Sequence, residues 1–255
     1  RVVQNRRRIF EFGFKSEKGQ VREINQDAFF VMPEEQVFMV ADGVGGQNFG
    51  ELASRTVLTD IAAKIRESRV PDASEKEALK EFFLNRVMSA NSHLYEIASA
   101  EAPKGMATTL LILYLAGNHA FVVNVGDSRA YLLRDGVLRQ VTEDHTFVND
   151  LLKYGIIDEK EAKVHPDRNM ITRAVGAEKK VRPDFFMFEV YEDDIIMLAT
   201  DGLYNELSEE EILKHTEEGS DMRDACIRLV EAANENGGRE RSGHIPNPAI
   251  KPLNV

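Results

Sequence analysis

Residues 108–141 read TTLLILYLAGNHAFVVNVGDSRAYLLRDGVLRQV. Apolar runs of strand length alternate here with Gly117-Asn118 and Asp135-Gly136, dipeptides that fold a chain back between antiparallel strands. Such a meander grows sheet through local turns rather than through strand–helix–strand crossovers. Upstream, Phe10, Phe12 and Phe14 alternate with Glu11, Gly13 and Lys15, the period of a half-buried strand. Ala28–Met32 and Val37–Ala41 are two more apolar runs, parted by the turn-like Pro33-Glu34-Glu35-Gln36. Ala53, Val57, Ile61 and Ile65 then fall four apart, as on one helix face, and Leu79, Phe83, Val87, Leu94 and Ile97 mark a longer second helix.

Downstream, residues 144–170 carry many charges and no continuous core strand. Strands follow near Phe185–Val190 and Ile195–Ala199. Ser208 with Glu211 then forms a capping box, and a last helix bearing Met222, Cys226, Leu229, Val230 and Ala233 stops at Gly237-Gly238. Strands grouped apart from helices predict an α+β fold with mainly antiparallel sheet and one inserted subdomain. A chain of 255 residues with 43 % hydrophobic and 29 % charged residues has material for a substantial core. The net charge of −11 argues against a nucleic-acid footprint. The longest apolar stretch, Met106 to Gly117, is too short to span a bilayer. Arg6-Arg7-Arg8 runs into Ile-Phe-Glu-Phe, which is no secretory signal. Cys226 is the single cysteine, so no internal disulfide forms and a reducing, cytoplasmic setting is expected.

Two segments share one grammar. Val37-Phe38-Met39-Val40-Ala41 runs into Asp42-Gly43, and Ile195-Ile196-Met197-Leu198-Ala199-Thr200 runs into Asp201-Gly202. A strand ending this way projects a carboxylate at the sheet end while the glycine lets the backbone turn. Asp-Gly alone also makes an ordinary turn. If the two carboxylates meet, they repel unless a cation lies between them, and oxygen ligands suit Mg²⁺ or Mn²⁺.

Further motifs stand in order along the chain: Arg22 with Asn25-Gln26-Asp27, Ala41 through Gly46, Gly105-Met106-Ala107-Thr108-Thr109, Val125-Gly126-Asp127-Ser128-Arg129, Ile171 through Gly176, and Thr200-Asp201-Gly202. Over residues 8–239 the chain resembles the metal-dependent type 2C serine/threonine protein phosphatases of bacteria. The resemblance implies a four-layer αββα sandwich, two antiparallel sheets between outer helices. It implies hydrolysis of phosphoserine and phosphothreonine by a metal-activated water, without a phosphoenzyme, and a place in signal transduction. Asp42 is expected to bridge two Mn²⁺ or Mg²⁺ ions, with the Gly43 carbonyl on one and Asp201 on the other. Asp27 is expected to act from behind them, and Asp127 to help hold a third, weaker ion. Arg22 is expected to grip the phosphate, since a guanidinium fork matches its oxygens. Expected partners are phosphorylated proteins, a serine/threonine kinase among them, met by a monomer. Residues 144–170 correspond to the family's flap. His145 and His165 lie in or beside it and receive no role as general acid. Cys226, on an apolar helical stripe, reads as a core residue.

Three departures stand out. Gln26 replaces a frequent glutamate, keeping a hydrogen-bonding oxygen and losing a charge, and Gln47 stands where bacterial members often carry histidine. After Gly237-Gly238 the family usually has Asp-Asn and a last core strand. Here residues 240–255 form an atypical tail in which Pro246, Pro248 and Pro252 argue against an interior strand, and Glu240 takes the place of the aspartate. A domain over 1–239 followed by such a tail leaves an alternative function, a phosphatase-fold binding module with little turnover. An acidic cation-binding structural domain is a third reading, one that needs neither Arg22 nor its partners.

Overall fold

The computed structural model describes residues 9–17, 26–45, 49–101, 105–237, 245–246 and 249–253. The chain opens with β1 (Ile9–Gly13), β2 (Ser16–Glu17), β3 (Asp27–Met32) and β4 (Val37–Val44). Helices α1 (Phe49–Arg66) and α2 (Lys76–Glu101) follow. The stretch that opened the sequence reading becomes β5 (Ala107–Thr108), β6 (Leu110–Ala116), β7 (His119–Val125), β8 (Arg129–Arg134) and β9 (Val137–Gln140). The charged insert holds α3 (Phe147–Lys153) and α4 (Glu159–Val164). Then come β10 (Asp184–Glu189), β11 (Ile195–Ala199), the four-residue α5 (Asp201–Tyr204), α6 (Glu209–Glu217) and α7 (Met222–Gly237). β12 (Ile245–Pro246) and β13 (Ala249–Leu253) close the described chain.

Among the described residues one large sheet runs β10-β7-β6-β4-β3, with β5 beside β4, a second runs β1-β13-β11-β8-β9, and β12 pairs with β2 as a separate two-stranded ribbon. The pairings are antiparallel. Gly117-Asn118 and Asp135-Gly136 close the β6–β7 and β8–β9 hairpins as their composition predicts, whereas Gly126-Asp127-Ser128 carries the chain from one sheet to the other.

The layers follow from period-two burial. Along β4, Met39 and Ala41 pack with Val57, Ile61, Leu79 and Phe83 of α1 and α2, while Phe38 and Val40 pack with Ile196 and Leu198 of the opposite sheet. A strand covered on both faces reads as an unbroken apolar run, which is why the alternation is invisible in its sequence. Beyond the second sheet, Tyr131 and Met197 meet Leu203, Ile212, Leu229 and Val230 of α5, α6 and α7. The result is the expected helix–sheet–sheet–helix sandwich. Ser208 caps α6 reciprocally with Glu211, and Cys226 is buried.

One expectation fails. Residues 249–253 do form an interior strand, with β1 on one side and β11 on the other. The prolines permit it because of where they fall. Pro246 and Pro248 precede β13, and β11 pairs only with Ala249 and Ile250, so Pro252 sits where β1 alone runs alongside.

Candidate active site

Four carboxylates gather where the ends of the two sheets converge. Asp27 opens β3 directly opposite Asp42 near the end of β4. Asp127 lies in the crossing from β7 to β8, and Asp201 opens α5 after β11. Thr200 ties the sheets together by donating its hydroxyl to Asp27 Oδ2 at 3.0 Å. The turn after Asp42 is possible only with glycine, because a Cβ on Gly43 would lie 1.9 Å from the Gly50 carbonyl oxygen. Gly43 N–H donates to the Gln26 carbonyl at 3.1 Å, and Ser54 Oγ donates to the same oxygen at 2.7 Å. Gln26 in turn donates its Nε2 to Gly45 O at 2.9 Å. The part of Gln26 that matters here is thus its nitrogen, which a glutamate lacks, rather than the oxygen that both side chains carry.

Hydroxyl groups that the sequence reading left without a role join Asp42 to Asp127. Thr109 Oγ1 accepts from Asp42 N–H at 2.9 Å and lies 2.7 Å from Ser128 Oγ. Thr108 Oγ1 donates to Asp42 O at 2.9 Å. On the other side of the turn, Tyr204 donates its phenol to Asp127 O at 2.8 Å. Arg129 lies over the Tyr204 ring at 3.6 Å and forks onto Asp144, with Nη2 to Oδ2 at 2.6 Å. These partners were within quoted motifs or beside them, but only three-dimensional proximity shows what they hold.

The charge state fits a cation-binding site. Asp42 keeps part of its surface open to solvent, yet protein surrounds it on most sides. That enclosure first, and then Asp27, Asp201 and Asp127, push its carboxyl well above the usual range. Asp127, buried beside Asp201 and Asp144, is pushed up to about 7 by burial first and those charges second. Among the described residues no three side chains already form a closed metal shell. The donor set nevertheless suits a hard divalent ion: oxygen only, mutually repelling, and strained toward protonation unless positive charge is supplied.

A cleft of about 960 Å³ opens beside Asp127, walled by Arg129, Asp144, Tyr204 and Asn205 and, from the insert, by Lys163 and Arg168. His145, at the start of the insert, is buried, 4 % exposed. His165 caps the end of α4 and stacks edge-on against Phe147. Arg22, Gln47 and Glu240 lie outside the described residues.

The model of the family described as protein phosphatase 2C matches residues 17–241. The chain belongs to the protein phosphatase 2C family. It is 34 % identical over 234 residues to the serine/threonine phosphatase Stp of Listeria monocytogenes, covering 89 % of this chain and 91 % of that one. The serine/threonine phosphatase of S. agalactiae superposes with a TM-score of 0.89 at 30 % identity, over 96 % of this chain and 100 % of that one. The catalytic domain of the serine/threonine phosphatase PstP, solved in complex with two manganese ions, superposes at 0.81 with 31 % identity, over 96 % and 99 %. This 2C-family chain is therefore a serine/threonine protein phosphatase, and its α+β sandwich is that of bacterial relatives. Among its described residues no helix is long and apolar enough to cross a membrane.

Proposed function

We propose that this phosphatase hydrolyses phosphoserine and phosphothreonine in proteins in a reaction dependent on divalent metal, with no phosphoenzyme. The observation that carries the reading is the meeting of Asp27, Asp42, Asp127 and Asp201 at one end of the sandwich, where burial and the neighbouring carboxylates drive Asp42 and Asp127 toward protonation. Asp42 would bridge two Mn²⁺ or Mg²⁺ ions, with the Gly43 carbonyl on one and Asp201 on the other. Asp27, bound to Thr200, would act from behind, and Asp127 would help hold a third, weaker ion. When bound, such ions lower the pKa of water and draw charge from phosphoryl oxygens.

The chain's own residues supply the remainder. Arg22 would hold the phosphate by a bidentate fork. The polypeptide flanking the phosphorylated residue would lie in the cleft beside Asp127, so the partners are phosphorylated proteins, a serine/threonine kinase among them. Cys226 packs with Met222, Ala225 and Ile195 within the core, which supports a reaction without a thiolate nucleophile. Both ring nitrogens of His145 are already hydrogen-bonded, so it is not the group that protonates a leaving oxygen. A single buried cysteine accords with a reducing, cytoplasmic setting. A binding module without turnover is the poorer reading, since β13 fills the sheet whose gap had favoured it.

Titrating Mn²⁺ and Mg²⁺ against hydrolysis of a phosphothreonine peptide tests the proposal. Turnover should vanish in chelator and saturate with metal, and Asp42→Ala should abolish both turnover and the tightest ion. Undiminished turnover by that variant would overturn the two-ion reading.

A further inference from the structure

His145 holds the residue before Asp127 from both sides. Its backbone N–H donates to Gly126 O at 3.0 Å, and the Gly126 N–H donates to its Nδ1 at 3.0 Å. A backbone amide only donates, so Nδ1 carries the lone pair and the ring proton sits on Nε2. That proton points at Asp184 Oδ2, 2.9 Å away; Arg173 Nη1, 3.1 Å from the same Nε2, donates instead to the other Asp184 oxygen, also at 3.1 Å. Asp184 lies on β10 and Arg173 just after the insert, so three separate segments fix one imidazole.

The gripped peptide is a demanding one. Gly126 has φ +104, and a Cβ there would lie 2.7 Å from Thr109 Cγ2, so its conformation is held by surroundings rather than by preference. With Gly126 fixed on one side and Tyr204 on the Asp127 carbonyl on the other, the Asp127 carboxylate has little freedom of approach.

We propose that His145 is a positioning residue for the acidic turn: Asp184 sets its tautomer, and its Nδ1 grips the Gly126 N–H so that Asp127 presents its carboxylate to the weaker metal ion. This rests on the reading of Asp127 as a ligand of that ion. It assigns His145 no contact with substrate. Burial keeps the ring below its usual pKa despite Asp184, which suits a neutral acceptor.

Two substitutions separate the nitrogens. In His145→Asn the amide oxygen reaches the place of Nδ1 and keeps the bond to Gly126. In His145→Gln the amide extends to the place of Nε2 and loses it. The measurements are Mn²⁺ binding by calorimetry and by paramagnetic resonance of free Mn²⁺, with cooperative melting in chelator as the check on folding. His145→Gln should weaken the weaker ion by about tenfold, the lower end for residues behind a ligand, while His145→Asn recovers most of that affinity. ¹⁵N resonance of the parent ring should show a bare Nδ1 and a protonated Nε2. Parent-like Mn²⁺ binding by His145→Gln, equal impairment of both variants, or a proton on Nδ1 would each overturn the proposal. Should His145→Gln fail to melt cooperatively, Asp184→Asn takes its place. It should weaken the same ion and loosen the tautomer, and no change in either overturns the proposal. Asp127→Asn is the reference. If it leaves Mn²⁺ binding untouched, the reading of Asp127 as a ligand falls, and the role given to His145 falls with it.

Discussion

A glutamate in place of Gln26 loses a donor and adds a charge. The donor serves Gly45 O at 2.9 Å, and the charge would join Asp27 and Asp42 at the end of the β3–β4 pair. Gln26→Glu is therefore expected to destabilise the metal-free protein by about 1–2 kcal/mol, the cost of a lost hydrogen bond with its acceptor left unpaired. Mn²⁺ should narrow the gap by neutralising the added charge. Denaturant melts in chelator and in Mn²⁺ measure both, and identical melts in chelator would refute the donor role. Arg22→Ala calls for the opposite signature. A guanidinium that grips phosphate but no metal should leave Mn²⁺ affinity intact while kcat/KM falls by about one to two decades, the ~1.5–3 kcal/mol of a charge-assisted contact. Matched loss of Mn²⁺ binding would instead make Arg22 a support of the metal site.

Between elements, single buried ions act as fasteners. Arg134 at the end of β8 forks onto Asp194, with Nε to Oδ1 at 2.8 Å and Nη2 to Oδ2 at 2.7 Å, and also donates to Glu189 O at 2.8 Å. Asp194 is 1 % exposed and accepts Tyr191 N–H, so it holds the β10–β11 connection onto β8. Arg134→Ala strands that carboxylate and should cost about 2–3 kcal/mol, below the full penalty for a broken buried pair because the arginine is itself partly exposed. Urea unfolding measures it, and a change under half a kcal/mol, within what an ordinary surface substitution costs, would mean water replaces the arginine. No such fastener is visible in a linear sequence, whereas the elements it joins were. Strands and helices announced themselves because Val37–Ala41 and the Ala53–Ile65 stripe carry local periodicity or apolar runs, and the Gly-containing hairpin turns carry local chemistry. β13 escaped because a count of prolines says nothing of which side of each residue is paired. The carboxylates of the site were readable, since Asp42 and Asp201 end strands of the same grammar. Their supports were not. The bonds from Thr109 to Asp42, His145 to Gly126 and Tyr204 to Asp127 span 67, 19 and 77 residues, and bonds of that range leave no local pattern.

For the whole molecule the carboxylate cluster makes stability a function of pH and metal together. Asp127 holds its proton up to about 7 in the fold, and Asp42 is also driven well upward, whereas an unfolded aspartate releases its proton near pH ~4. Between those values the folded, metal-free chain binds more protons than the unfolded one. Its stability therefore falls as pH rises: this contribution is complete below about 4 and is lost through about 7. His145 works against the trend. Burial lowers its pKa, so the unfolded chain takes up the proton first, and stability from this group grows as pH rises toward the usual histidine value. Asp184 and Glu211, held below their usual values, matter only under more acid conditions: their contributions stand above the unfolded carboxylate range and are lost as pH falls through it. The test is thus a difference. In chelator, the parent's melting temperature minus that of Asp127→Asn should fall from pH ~5 and level off above about 7, because the amide has no proton to lose. Saturating Mn²⁺ should reverse the parent's trend, since metal and protons compete for the same oxygens and the metal gains as pH rises. Parallel melting curves for the two chains across that range would mean that Asp127 is ionised at no cost in the metal-free fold, and the electrostatic argument for a cation at this end of the sandwich would lose its footing.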